Sequence, residues 1–388
     1  MDQIQEQVAD LRGLHPQNPV DRDLLTHEQL RQRVIDDFLE DYTQEEAASE
    51  SISLATLGLI ERDFDLLDFY TELFSEQVAG FYDDEAKKMY VVQGEGFQGT
   101  ERLTYAHEYV HALQDQQFDL KDGLNYNDEA CEVNTERCSA IQALVEGDAS
   151  LLEISWLTTY ATNQDLTDIQ QFYNNYQSPV YDSAPAYLKE DFIFPYLSGQ
   201  AFVEHLYNRG GWPEVNRAYE VLPASTEQIL HPERYPDDTP IPVSLVDLSD
   251  VLGAGWHEID KGMIGEWYTY LILAYGRIPE ARIDESRARA AAEGWGGDAY
   301  VVYYDHQNDD SVMVMRTIWD SRSEATEFAS ILGEYAEGRF GLVNDSGAEL
   351  LRWESSEGYA IFDLDETTTT WLLAPDEAIA QTVWERLQ

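Results

Sequence analysis

His107-Glu108-Tyr109-Val110-His111 constrains this chain more than any other segment. On an α-helix, residues four apart stack one turn above each other on the same face. Two imidazoles so placed can aim at one metal ion, provided the segment is helical and a second element brings a third ligand. Glu108 follows the first histidine, where its carboxylate can reach water at an open coordination position. Zinc takes imidazole and carboxylate ligands, and a catalytic zinc site keeps one position free. The rival reading is a chance match on a charged surface helix, so the flanking residues decide.

Those flanks read as helix. Gly99-Thr100 supplies a break and an N-cap, and Glu101 falls in the first turn, where the dipole favours it. Leu103, Ala106, Val110 and Leu113 form an apolar stripe that the histidines border, out to about Phe118. A second helix is expected from Ser139 to Tyr160, burying Ile141, Leu144, Val145, Leu152 and Ile154. Glu146 interrupts that apolar run, and burying a carboxylate is costly unless it is paired or binds metal. Gly147 is equally out of place, costing about 1 kcal/mol relative to alanine in a helix interior. Both make sense if Glu146 is the third ligand and Gly147 lets the two ligand helices approach closely. Asp148 either orients a histidine or makes a structural hydrogen bond, and Glu153→Ala, unlike Glu146→Ala, is not expected to weaken metal binding strongly.

Several stretches together resemble a known group. They are EQVAGFYDDEAKKMYVV from Glu76, AHEYVHALQDQQFDL from Ala106, ALVEGDAS from Ala143, FPYLSGQAFVEHLYNRGGW from Phe194, STEQILHPERY from Ser225 and GWGGDAYVVYY from Gly294. The chain is similar, from about Arg12 to the segment around Phe328, to a largely uncharacterised family of zincin-like metallopeptidases of bacteria and haloarchaea. In haloarchaea its members are usually labelled surface proteins. The resemblance implies a gluzincin-type site with His107, His111 and Glu146 on zinc, and it implies no particular substrate.

The charge balance indicates where such a protein works. There are 75 acidic residues against 24 basic ones, a net charge of −51. A disordered acidic chain is ruled out, because 43% hydrophobic residues, with 24 Tyr and 9 Trp, suffice for a sizeable core. The acid therefore coats a folded surface. It repels itself at low ionic strength, whereas at 1 M salt the Debye length shrinks to about 3 Å. A halophilic origin fits best. Nucleic acid is not an expected partner, because no basic patch exists. No apolar run is long enough to span a bilayer. The polar start Met1-Asp2-Gln3-Ile4 is not a signal peptide, so the chain is either cytoplasmic or a mature portion behind an added Met; the resemblance favours the second. Cys131 and Cys138 are expected to form a disulfide in the connection between the ligand helices, with two free thiols or soft metal ligands as the rival reading. Seven residues of continuous helix span roughly 10.5 Å, too far for a bridge, so the pairing requires a break.

The remainder sets the architecture. Residues 1–25 read as a loose segment with breakers at Pro16 and Pro19. Thr26 and Gln29 form a capping box for a helix to about Tyr42. Strands are expected at 78–82 and 89–92, a hairpin that serves either as an edge for extended substrate or as structure alone. From Gly294 the pattern changes to strands near 300–304, 312–318, 350–354, 359–362 and 370–373, with helices at 323–335 and at the end. The expected fold class is α+β: a mostly helical zincin-like domain over 26–290, then a smaller α+β module over 291–388. His231 lies just before Pro232, with Tyr235 four residues on, and either could donate to an oxyanion. A histidine answering a helix C-terminal dipole is the plainer alternative for His231.

The function expected from the sequence is a zinc-dependent metallopeptidase acting on a peptide or protein substrate. His107, His111 and Glu146 hold Zn2+, and Glu108 is the general base for the attacking water. The alternatives are a secreted or surface scaffold that keeps a structural zinc, and a zinc hydrolase of non-peptide amides.

Overall fold

Ile4, Val8 and Arg12 recur at helical spacing, and they overturn the expectation of a loose N-terminus. In the computed structural model, which describes residues 1–38, 42–92, 96–343, 345–346 and 350–388, helix α1 spans Asp2–Arg12 and strand β1 spans Asp21–Leu25. Ile4 and Val8 are buried, and Arg12 is fully buried against Asp148, with Nε–Oδ1 at 2.7 Å. The prolines at 16 and 19 merely separate two ordered elements.

A small sheet follows. Helix α2 (His27–Phe38) opens on the expected capping box, with Thr26 N–H donating to Gln29 and Gln29 N–H donating to Thr26 Oγ1. Its expected end near Tyr42 runs into residues 39–41, which lie outside the described residues. Helices α3 (Gln44–Leu57) and α4 (Leu66–Gln77) lead to the hairpin β2 (Gly80–Asp83) and β3 (Lys88–Val92). The order is β1-β3-β2, with β1 parallel to β3 and β2 at the edge. Side chains alternate along β3: Met89 and Val91 join the core beneath α1 and the helix that carries His107 and His111, while Tyr90 and Val92 pack toward α2.

The helical body comes next. Helix α5 spans Gly99–Phe118, α6 Asp128–Val133, α7 Thr135–Tyr160, α8 Asn163–Asn175, α9 Pro179–Ser183, α10 Ala186–Gly210, α11 Trp212–Glu220 and α12 Thr226–Leu230. Asn134 ends α6 and begins α7, accepting from Arg137 N–H with its side chain. This break brings the Cα atoms of Cys131 and Cys138 to 5.4 Å, and the two are disulfide-bonded. Ile154, expected in the buried face of α7, is 44% exposed. Among the described residues no helix is long and apolar enough to cross a membrane.

The last part is a seven-stranded sheet. Helix α13 (Ser249–Leu252), β4 (Trp256–Gly262), α14 (Gly265–Tyr275) and α15 (Glu285–Ala292) precede β5 (Trp295–Asp305) and β6 (Asp310–Trp319). Helix α16 (Arg322–Phe340), β7 (Asp345–Ser346), β8 (Leu350–Ser355), β9 (Gly358–Asp365), β10 (Thr368–Ala374) and α17 (Glu377–Leu387) complete it. The order is β4-β5-β6-β10-β9-β8-β7, antiparallel throughout. One face (Val302, Met313, Met315, Phe362, Trp371) continues the core of the helical body; the other (Val301, Tyr303, Val312, Val314, Ile361) is covered by α17 and α13. The fold is therefore α+β. Strand β4 pairs with β5, so the sheet begins upstream of residue 291 and shares its core with the helices before it.

Candidate metal centre

Helix α5 carries His107 and His111 one turn apart, with ring centroids 4.9 Å from each other. Helix α7 brings Glu146 against both: Oε2 lies 3.2 Å from His107 Nε2 and 3.5 Å from His111 Nε2. All three are largely buried, with side-chain exposures of 11, 12 and 17%. Ligand atoms from His107, His111 and Glu146 lie within 4.8 Å of one another, as a metal ion requires.

The opposite edges of the imidazoles decide how the site reads chemically. His107 Nδ1 is 3.0 Å from Glu153 Oε2, and His111 Nδ1 is 2.9 Å from Gln114 Oε1. Acceptors at both Nδ1 positions place the ring protons there and turn both Nε2 lone pairs toward Glu146. Two lone pairs and a carboxylate facing one point suit a cation. Without one, the imidazoles must take protons: burial opposes this, but Glu146 and Glu153 outweigh it and raise the His107 pKa well above its ordinary value. Burial likewise opposes the ionised form of Glu146, but His111 and His107 hold its pKa below the carboxylate range. The donor set therefore fits zinc, with three protein ligands and outer partners that fix each ring.

Glu153, whose loss is not expected from the sequence to weaken metal binding strongly, lies against the outer edge of His107. Asp148 also has a definite place. Its Oδ2 accepts from Gln114 Nε2 at 3.2 Å and from the Tyr219 hydroxyl at 2.8 Å, and Arg12 neutralises it. Asp148 orients His111 at one remove, through Gln114, with no distortion at Gly147. Gly147 itself faces a different helix from the one expected. A Cβ there would stand 2.1 Å from the Gly199 carbonyl carbon, and one on Gly199 would stand 2.0 Å from Ala143 O. The close approach is between α7 and α10, not between α7 and α5.

Glu108 lies beside the cluster. The Tyr82 N–H of edge strand β2 donates to its Oε2 at 3.0 Å, and the Tyr82 hydroxyl reaches Asp115 at 2.7 Å, so the strand is pinned to α5 twice. Burial raises the Glu108 pKa, against the opposing pull of His111 and His107.

His231 and Tyr235 are not brought to this cluster. His231 Nε2 lies 2.8 Å from Glu266 Oε1, and the Tyr235 hydroxyl donates to Val221 O at 2.5 Å while its ring packs on Phe202. Both are held by partners of their own at the α12 C-terminus, so the oxyanion assignment to either is withdrawn. The residue that sequence reasoning missed is Tyr196 on α10. Its ring centroid lies 6.3 Å from that of His107, it is 38% exposed, and the charge of Glu146 raises its pKa well above that of a free phenol. Its place in the FPYLSG stretch, three residues before Gly199, was the available signal.

Residues 252–384 match a family described as a domain of unknown function, DUF8575. This region holds the seven-stranded sheet and excludes the metal cluster. No curated protein and no solved structure matches the chain.

Proposed function

We propose that the protein is a zinc-dependent peptidase. The observation that carries this reading is the convergence of two imidazole Nε2 atoms and a buried carboxylate oxygen, with Glu108 fixed alongside by a β-strand N–H. Three groups converge among the described residues, whereas structural zinc sites close with four protein ligands. Bound zinc would supply Lewis acidity, polarising a carbonyl and bringing the pKa of water toward about 7.

The chain's own residues do the rest. Glu153 and Gln114 keep both histidines in the tautomer that presents Nε2. Glu108, with its pKa raised by burial, is a stronger base than a solvated glutamate; it takes the proton of the attacking water and returns it to the leaving amine. Tyr196 stays protonated beside Glu146, so its hydroxyl remains a donor for the developing oxyanion. Strand β2, at the sheet edge, supplies backbone groups for an extended substrate. The disulfide favours an oxidising compartment, and the charge of −51 favours molar salt. The motifs around His107, Glu146 and Tyr196, which resemble zincin-like peptidases, support the same reading.

Glu108→Gln is the test. In molar KCl it should cut peptide turnover by about 10²–10⁴ while zinc content and melting temperature stay at wild-type values. Proteolysis undiminished in this variant sinks the peptidase reading.

A further inference from the structure

The two histidines of the metal cluster are steadied by different chemistry. His107 Nδ1 faces a carboxylate, Glu153 Oε2 at 3.0 Å, and both oxygens of an ionised carboxylate accept. His111 Nδ1 faces an amide, Gln114 Oε1 at 2.9 Å. An amide accepts at one end and donates at the other, so its orientation matters. With the oxygen toward the ring, Nδ1 carries the proton and Nε2 keeps the lone pair that faces Glu146, 3.5 Å away. With the nitrogen toward the ring, Nδ1 must accept, the proton moves to Nε2, and the ligand atom is blocked.

Three acceptors hold the amide the first way. Gln114 Nε2 lies 3.0 Å from Val145 O, 3.2 Å from Asp148 Oδ2 and 2.9 Å from the Tyr219 hydroxyl. That hydroxyl gives its proton to Asp148 Oδ2 at 2.8 Å, so toward Gln114 it can only accept. Gln114 and Asp148 are fully buried, and a reversed amide would set its oxygen against a carbonyl and a carboxylate. Asp148 is the charged member of the three, and Arg12 holds it in place. Nε meets Oδ1 at 2.7 Å and Nη2 meets Oδ2 at 2.9 Å, with neither side chain exposed. Among the described residues Asp148 is the sole hydrogen-bond partner of the Arg12 side chain, whose guanidinium lies 4.3 Å over the Trp212 ring. Arg12 ends α1, and that helix is itself fastened: Trp212 Nε1 donates to Leu11 O at 2.6 Å and Trp156 Nε1 to Gln7 Oε1 at 2.9 Å.

We infer that Arg12 is a positioning residue for the metal: through Asp148 it fixes the Gln114 amide, and the amide selects the His111 tautomer whose Nε2 can bind zinc. The first helix of the chain thereby becomes part of the metal centre. His107 needs no such device, because a carboxylate turned over presents the same acceptor. The inference rests on the zinc reading of His107, His111 and Glu146; it does not require that the protein cleave peptides.

Zinc dissociation constants, measured in molar KCl against a chelating competitor, test it. In Asp148→Asn the new side chain has one accepting end, the Arg12 guanidinium takes it, and a donor faces Gln114, whose amide reverses. Zinc affinity should then fall about 10–100-fold. Adding Gln114→Glu makes both ends of that side chain accept and returns the lost negative charge, so affinity should recover to within about threefold of wild type. A packing defect would be deepened by the second substitution, not repaired. Arg12→Met/Asp148→Leu replaces the ion pair with apolar groups of similar size, a change that buried pairs often tolerate. It should weaken zinc about tenfold in a protein that still melts cooperatively. In the zinc-loaded wild type the His111 Nδ1 proton, bonded to Gln114, should give a slowly exchanging NMR resonance. Asp148→Asn should remove it and Gln114→Glu/Asp148→Asn restore it. Wild-type affinity in either Asp148→Asn or Arg12→Met/Asp148→Leu, or no recovery in Gln114→Glu/Asp148→Asn, overturns the inference. Glu146→Ala separates the two readings. Zinc kept at full affinity there removes the metal site and this inference with it; zinc lost there, with indifference to Arg12 and Asp148, removes only the role of Arg12.

Discussion

Helix α7 buries two glutamates ten residues apart and holds them in opposite states. Glu146 meets two imidazoles, and its pKa stays below the ordinary value although burial pushes the other way. Glu136, 3% exposed, accepts from the Thr226 backbone N–H at 2.6 Å and hydroxyl at 2.7 Å and forms no ion pair among the described residues, and burial drives its pKa up to about 8. The two share a helix and a buried setting, and they differ in the charge of their partners. A carboxylate that finds only neutral donors gives up its charge; one that faces basic nitrogens keeps it and remains a ligand. The acids Glu227, Asp238 and Asp320 make a third case. They also gather closely enough for a metal, but Arg234 sits among them, with Nη1 paired to Glu227 and 3.3 Å from Asp320. That cluster holds a guanidinium among its acids, whereas the His107–Glu146 cluster holds only imidazoles beside its carboxylate.

This contrast can be broken most sharply by removing Glu146. Glu146→Ala should weaken zinc binding beyond the roughly 100-fold that loss of an outer partner causes, while Arg234→Ala leaves zinc affinity unchanged. Elemental analysis and competition with a chelator read both, and full zinc in Glu146→Ala would remove the third ligand from the proposal.

The next largest effect concerns pH and stability in the metal-free protein. The folded pKa of Glu136, about 8, lies above the unfolded value near 4.5, so the native state binds the extra proton between them. Stability from this group is therefore greatest below about pH 4.5 and declines as the pH rises to about 8. Glu136→Gln should abolish that decline and make the protein more stable at pH 8, by on the order of 3–5 kcal/mol. Glu146→Gln should do the reverse. Its lowered pKa gives stability present above about pH 4.5, so its loss destabilises the metal-free protein at neutral pH. Denaturant melts from pH 4 to 9 distinguish the two, and equal signs for both variants would dissolve the comparison.

Smaller effects should follow from the outer partners. Glu153→Ala and Gln114→Ala each free one imidazole and should cost about 10–100-fold in zinc affinity, with the fold retained. Zinc titration against a fluorescent competitor would show it. Wild-type affinity in both would mean that α5 packing alone sets the ring orientation.

What could be read from sequence divides along the same physical line. Helix α5 was legible because i,i+4 spacing and an apolar stripe are local properties, and the meeting of Glu146 with its histidines because a charge inside an apolar run is costly wherever the run packs. The hairpin and the late strands were legible from alternation and from runs of β-branched and aromatic residues. Helix α1 was not, because its polar composition hid a stripe whose last member, Arg12, is charged and is buried only because Asp148 awaits it. The misassignment of His231 and Tyr235 has a similar origin: their partners, Glu266 and the Val221 carbonyl, are tertiary, and a proline beside a histidine says nothing about which way the ring turns. Tyr196 was missed because its link to Glu146 runs through the contact of two glycines 52 positions apart, Gly147 and Gly199.

That glycine contact makes the phenol a matter of helical phase. Successive residues turn by about 100° around the axis, so the three steps from Tyr196 to Gly199 fix the azimuth of the ring once the glycine is seated on α7. Insertion of a single residue between them would leave the crossing intact and swing the phenol by roughly 100°, away from His107, whereas an insertion beyond Gly199 would leave it in place. Segment 196–199 is therefore expected to tolerate exchange of its side chains far better than any change in its length.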